Sequence, residues 1–519
     1  MKSILNNNSN IATVLFFIVG VFITILTINA PIGDFGNYYY GSKLFVDTKF
    51  SVLDYQSIFH FNQQIASYGQ HHYFENYIPV PPFSLLFYLP FTYFDWLIAK
   101  LLFNIISLVI FCFSLNRILK SIEVNSLFIY FLPALFIYPL YNNLLQGQSY
   151  LLITACLLEI YMFSEKEKYW EASLLLSLVI SLKIFPLFIL MFFLLTKKYK
   201  VAIYTFCFSL GLCVISLYVI GTDIVTYYFI TVLPRLMDNE IIGPYYHGNQ
   251  SIYTLLLNLF SFDEIQNPSV IINFKILVPF FESIVTAILF SIMIVLKKKR
   301  NLVFFGAVLI CSVLIGRYNT TYGMLILIPF VVSIFAYQTP KVLSWVLLGC
   351  FILAVNIPTG RMIDFPIVLM FSRLIGLIIV CVLFCKINEV KINLKWFLIM
   401  VAPIFIFKYI SFPVKPIHYF QIQNTQGILY DYEIRKDSII LLSTMGEYNL
   451  KEGFKLNGMA TVDTSLIIEN NCLYYRSKAI EASKDTKIKP FLYNDSIAVV
   501  LSDMNQAIGF YKFRCISLK

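Results

Sequence analysis

The chain has 519 residues, 59% of them hydrophobic and 13% charged, with 50 Phe and 35 Tyr. A water-soluble protein cannot keep that much apolar side chain off its surface, so the composition excludes a soluble globular enzyme and places the chain in lipid. The net charge of +10 reads as membrane topology, not as affinity for nucleic acid, because the Lys and Arg lie between apolar runs.

Residues 11–28 form the first apolar run, behind a weakly basic, Asn-rich leader. The run is longer than a signal-peptide core and is expected to be a retained helix. Residues 31–77 follow as a long polar loop, and Pro79, Pro81 and Pro82 break the chain as it re-enters the bilayer boundary. A short interfacial segment at 83–94 and a full span from Trp96 come next. Further apolar runs lie at 126–140, 149–163, 170–182, 184–195, 201–220, 276–296, 302–315, 323–337, 342–356, 366–385 and 396–412, with a membrane-parallel helix at 249–260. Hydropathy thus predicts an all-α polytopic membrane protein with about 13 membrane helices plus interfacial helices. The clusters 197–200 and 297–300 fall on one side if the N-terminus is cytoplasmic, in accord with the positive-inside rule.

The composition changes after Phe412. Residues 413–519 carry β-favouring stretches separated by Asn, Asp and Gly, which predicts a C-terminal β-rich extracytoplasmic domain, a sandwich or small barrel. The ten cysteines include no Cys-x-x-Cys pair, so no zinc cluster is indicated. Cys472 and Cys515 lie in the polar region, where a disulfide and two free thiols are both open readings. His71, His72 and Glu75 have helix-face spacing, but the two adjacent histidines do not share a face, so metal binding is not carried forward.

Chemistry is expected first at Asp34. It follows a hydrophobic span directly, between Gly33 and Gly36 and ahead of Tyr38, Tyr39 and Tyr40. An ionisable group at a membrane edge is costly enough to suggest a purpose, and amphipathic tyrosine rings suit the lining of a sugar-sized cleft. The plain alternative is a solvated turn residue or helix cap.

Gly33-Asp34-Phe35, Pro81-Pro82-Phe83, the turn 146–149 (Gln-Gly-Gln-Ser), the stretch 181–186 (Ser-Leu-Lys-Ile-Phe-Pro) and Asn249-Gln250-Ser251 together resemble the polyprenyl-phosphate-dependent mannosyltransferases of glycosyltransferase family 87. Their order over roughly residues 11–340 carries the resemblance. It implies a type-C membrane fold, an inverting transfer of a hexose such as mannose from a polyprenyl-phosphate donor, a glycan or glycolipid acceptor, and an active site facing away from the cytoplasm. No cofactor and no nucleic-acid partner are expected. The departure is at 317–322 (Arg-Tyr-Asn-Thr-Thr-Tyr), where family members often place His or other polar residues before a Leu-rich span.

Such a transfer needs a base at the acceptor hydroxyl and positive charge at the departing phosphate. Asp34 is the expected base. Lys183, held between two short apolar runs, is the first choice for the phosphate, with snorkelling to the interface as its alternative. Arg317 and Arg235 are outer-face candidates whose guanidinium groups suit phosphate oxygens, against the alternative of lipid headgroup contact. His247 and Asn249 are candidate donor or acceptor contacts, and Gln146 and Gln148 either line the cavity or cap a helix. A bacterial plasma membrane is the expected location. A transporter or lipid flippase is the rival reading, since many helices and an intramembrane Lys also suit a translocation path.

Overall fold

The structure, a computed structural model, describes residues 2–410 except 57, 70–74, 123–126, 238–244, 247, 263–266, 268–269, 318, 338–341, 360–361, 363–364 and 393. Beyond 410 it describes only the backbone of strands between 429 and 517.

The helix Lys2–Leu26 opens the chain, and Trp96–Ser121, Tyr150–Glu165 and Tyr169–Leu182 pack in succession beside it. The helix Asn301–Ile315 is apolar on all sides, and Leu302 to Leu314 are buried almost without break. A helix with no polar face belongs in the interior, and here it is covered by Leu277–Leu296, Ile328–Tyr337 and Ser372–Ile387. Tyr199–Val219 is equally apolar but peripheral: Phe206 is 69% and Tyr218 90% exposed, the pattern of a lipid-facing helix.

Four helices among the described residues are long and apolar enough to cross a membrane: Asn8–Leu26, Trp96–Ser121, Tyr199–Val219 and Leu277–Leu296. This corrects the expected thirteen. Most other runs expected as spans are shorter helices or are broken. Val342–Asn356 has 15 residues, about 22 Å at 1.5 Å per residue, against a hydrocarbon core of about 30 Å. The run 184–195 divides into a 3-10 turn, Phe185–Ile189, and the helix Leu190–Leu195, and Pro186 keeps it from continuing the preceding helix. Phe371 similarly separates Ile367–Met370 from Ser372–Ile387.

Two hydrophobic cores result. The larger fills the bundle. The second is aromatic and lies under the loop 31–93, where Phe35, Tyr38, Tyr55, Tyr77, Tyr88 and Tyr228 are all nearly or fully buried. The helices Phe35–Val46, Val52–Gln56 and Ile58–Ala66 order this loop, and the predicted interfacial segment forms Ser84–Phe87 and a 3-10 turn, Leu89–Tyr93.

The described strands form three separate three-stranded antiparallel sheets: Leu429–Arg435 with Ser438–Ser443 and Gly446–Asn449, Leu466–Glu469 with Cys472–Tyr475 and Lys478–Ala482, and Phe491–Asn494 with Ile497–Met504 and Ala507–Ser517. Every described ladder joins strands adjacent in sequence. No ladder joins the three sheets among the described residues, and the sandwich or barrel expected for 413–519 is not supported.

Candidate functional site

Two turns interlock at one end of the bundle. Gly33 has φ +62°, and a Cβ there would lie 2.5 Å from Oε1 of Gln146. The neighbouring Asp34 N–H donates to that same oxygen at 3.2 Å. Gly147, φ +64°, ends the helix Ile137–Gln146 in the left-handed conformation, and its Cβ would lie 2.6 Å from the Cβ of Phe35. Glycine at both positions therefore lets the two backbones meet and brings Gln148 to Asp34.

Nε2 of Gln148 donates to Oδ2 of Asp34 at 2.7 Å, and Tyr38 Oη donates to Oε1 of Gln148 at 2.8 Å. One amide thus bridges the carboxylate and the phenol. Burial, together with the nearby charge of Asp34, pushes the Tyr38 phenol well up, so Tyr38 stays a donor at neutral pH. Its ring stacks on Tyr88 with centroids 4.5 Å apart.

Asp34 stands at the N-cap position of Phe35–Val46, yet its side chain makes no capping bond. That place is taken by Glu75. A Cβ on Gly36 would fall 2.3 Å from Oε1 of Glu75, and the Asn37 N–H supports the same carboxylate. Glu75 is 3% exposed; burial first, and then the charge of Asp34, hold its carboxyl well above the usual carboxylate range. Its backbone is fixed in turn, because Glu75 N–H donates to Asn62 Oδ1 at 2.8 Å and Asn62 Nδ2 donates to the Glu75 carbonyl at 2.7 Å. With the helix terminus occupied by Glu75, Oδ1 of Asp34 has no hydrogen-bond partner among the described residues.

Lys183 ends the helix Tyr169–Leu182 in extended backbone. Its Nζ lies 5.4 Å from the Tyr38 ring centroid and 5.7 Å from that of Tyr150, within cation–π range of both. No ion pair to Lys183 occurs among the described residues. The result is a carboxylate held by a neutral amide and, across one aromatic ring, a cation held by ring faces.

The predicted residues divide around this arrangement. Asp34, Tyr38, Gln146, Gln148 and Lys183 come together. Tyr39 and Tyr40 are 4% and 2% exposed and pack in the aromatic core, with Tyr39 Oη donating to the Phe94 carbonyl at 2.9 Å, so they support the loop and do not line an open cleft. Asn249 belongs to a neighbouring knot: its Nδ2 donates to the Arg317 carbonyl at 2.7 Å and its Oδ1 accepts from the Asn319 N–H at 2.6 Å. Arg317 makes a two-point ion pair with Glu282, Nε to Oε1 at 3.1 Å and Nη2 to Oε2 at 3.2 Å, and its guanidinium lies 4.2 Å from the Tyr253 ring centroid. Lys408 reaches the same Glu282 at 2.5 Å. Arg235 stands on the short helix Leu233–Met237. His247, His71 and His72 lie outside the described residues.

Two site residues escape a hydropathy reading. Lys100 is 6% exposed, and its Nζ donates to the Pro31 carbonyl at 2.6 Å, close enough for its charge to act on Glu75. Glu75 itself is legible only as part of a weak metal-like trio. The available signal for Lys100 was a single cation near the start of an apolar span.

The model of glycosyltransferase family 87 matches residues 80–329. The match takes in Gln148, Lys183, Asn249 and Arg317 and leaves Asp34 and residues 413–519 outside it. No curated protein and no solved structure matches the chain.

Proposed function

We propose that this chain, a membrane glycosyltransferase belonging to family 87 through residues 80–329, moves a hexose such as mannose from a polyprenyl-phosphate donor to a glycan or glycolipid acceptor. Asp34 is the general base. The acceptor hydroxyl gives its proton to the open Oδ1 of Asp34 as its oxygen attacks the anomeric carbon. The bond from that carbon to the phosphate oxygen breaks on the opposite face, so configuration inverts. The electron pair goes to the phosphate, and Lys183 offsets the charge that develops there.

One observation carries this reading: the Asp34 carboxylate is positioned by a neutral donor, Gln148, at 2.7 Å, while Lys183 rests on the Tyr38 ring and makes no ion pair among the described residues. A carboxylate neutralised by a direct salt bridge would be a weaker proton acceptor. Glu75, which takes over the helix terminus, leaves Asp34 available for this work. In the same reading the N-terminus is cytoplasmic, residues 1–412 form the catalytic membrane domain, residues 413–519 lie outside and position the acceptor, and the membrane is a bacterial plasma membrane.

The test supplies the purified full chain with a radiolabelled polyprenyl-phosphate hexose and compares wild type with Asp34→Asn at equal folded yield. Transfer is expected to fall by about a hundred- to ten-thousand-fold. Equal transfer by both removes Asp34 as base, and no transfer by wild type from any donor of this class overturns the donor.

A further inference from the structure

Arg373 is fully buried, at 0% exposure, on the helix Ser372–Ile387. Among the described residues one of its nitrogens has an acceptor: Nη2 donates to the Ile357 carbonyl at 2.6 Å. Among the described residues Nε and Nη1 have no hydrogen-bond partner, and no Asp or Glu forms an ion pair with the guanidinium. Two other arginines among the described residues each meet a carboxylate: Arg117 meets Glu159 and Arg317 meets Glu282. A buried cation without a counter-ion is strongly unfavourable, and guanidinium stays charged because its pKa is too high for it to neutralise instead.

The surroundings are built and not loose. Gln250 clamps the start of the Arg373 helix, with Nε2 donating to the Met370 carbonyl at 2.8 Å and Oε1 accepting from the Leu374 N–H at 3.3 Å. Gln250 follows Asn249, so the clamp joins Arg373 to the knot at Arg317 and Asn319. On the other side, Asn356 fixes the carbonyl of Leu135 and the N–H of Tyr138. The guanidinium is thus held in place by neighbours that do not neutralise it.

We infer that Arg373 is a second anion site, separate from the Lys183 position, and that it takes a phosphate oxyanion. The choice of phosphate among anions rests on the donor class proposed above, and Arg suits it through charge-assisted N–H bonds to phosphate oxygens. The ligand is either the phosphate of an isoprenyl lipid or free phosphate.

The test measures thermal stabilisation of the full chain in phosphate-free maltoside micelles. The added probes are a short isoprenyl monophosphate or inorganic phosphate, with wild type, Arg373→Met, Arg373→Lys and Lys198→Ala compared. Wild type and Lys198→Ala are expected to show the same saturable shift. Arg373→Met requires roughly tenfold or more higher ligand for half the effect, and Arg373→Lys falls between. Without ligand, Arg373→Met melts at or above wild type, because an unpaired buried charge has been replaced by an apolar chain of similar length. A shift with the isoprenyl probe alone assigns the site to a lipid, and an equal shift with both assigns it to free phosphate. Equal half-saturation in wild type and both Arg373 variants overturns the proposal. So does no shift in wild type with either probe, or a large loss of melting temperature in Arg373→Met with ligand response retained. Should Arg373→Met not fold, Arg373→Lys with unchanged half-saturation overturns it alone. Because these readouts are binding and not transfer, a failure of Asp34 as base leaves them intact.

Discussion

The helix Tyr150–Glu165 carries a carboxylate-centred cluster at each of its ends, and the two are built on opposite principles. At its C-terminal end, Glu165 accepts from Lys198 at 2.5 Å and from Asn301 Nδ2 at 3.1 and 3.0 Å, while Glu159 on the last turns pairs with Arg117 at 2.6 Å. Opposite charges meet directly there, and each contact ties one helix turn to another. At the N-terminal end, beside Gln148, Asp34 is met by an amide and Lys183 by the faces of Tyr38 and Tyr150. The charges are near but not joined. Direct pairing uses up both partners and serves cohesion, whereas separation by neutral groups leaves each charge able to meet a proton or an anion that arrives later.

The comparison is broken most severely by removing the unpaired cation. Lys183→Met should lower kcat for transfer by roughly a hundredfold, the scale of losing one preorganised donor to a developing oxyanion, with little change in melting temperature. A KM effect alone would instead assign Lys183 to ground-state binding. Gln148→Leu comes next. It strips the amide from Asp34 and Tyr38 together, leaving two polar groups unmatched at about 1–3 kcal/mol each and releasing the base from its position. Thermal denaturation and transfer should both suffer, and a variant as stable and active as wild type would show that the bridge is incidental.

Glu75 sharpens the comparison through pH. Its carboxyl in the folded protein lies well above the usual range because of burial and the charge of Asp34, so between the unfolded and folded pKa values the native state binds more protons than the unfolded chain. Stability then falls as pH rises through that window. Asp54, raised by burial despite its contact with His60 at 3.0 Å, contributes in the same direction. Melting temperature measured from pH 5 to pH 9 should decline in wild type and decline less in Glu75→Gln. Identical slopes would mean that Glu75 is ionised on Gly36 throughout.

Much of this was legible in the sequence, and the illegible part has one cause. Asp34 and the turn at 146–148 could be read because glycines flank both, and the central helix because Asn301–Ile315 is apolar on every side. Window hydropathy, however, averages single charges away. Lys100, Glu282, Arg373 and Lys408 each sit inside an apolar run, and each finds its partner or lacks one through residues remote in sequence: Pro31 for Lys100, Arg317 and Lys408 for Glu282, Ile357 for Arg373. Arg317 was expected at the phosphate from its outer position alone; its two-point pair with Glu282 lies 35 positions away and has no local signature. The span count was too high for the related reason that hydropathy does not register a broken ladder, as at Pro186 and Phe371.

The smallest expected effect lies at the paired end and is the control for the rest. Lys198 donates to Glu165 and to the Ser164 carbonyl at 3.0 Å, with about a sixth of its side chain exposed and a third of that of Glu165. Ion pairs open to water to that extent contribute about 0.2–1 kcal/mol, and Asn301 remains on Glu165 when the lysine is removed. Lys198→Ala should therefore lower the melting temperature slightly and leave the rate of transfer at the wild-type value. A loss of transfer at Lys198 comparable with that at Lys183 would mean that the two ends are not independent, and that the helix between them couples the Lys198–Glu165 contact to the Gln148 bridge.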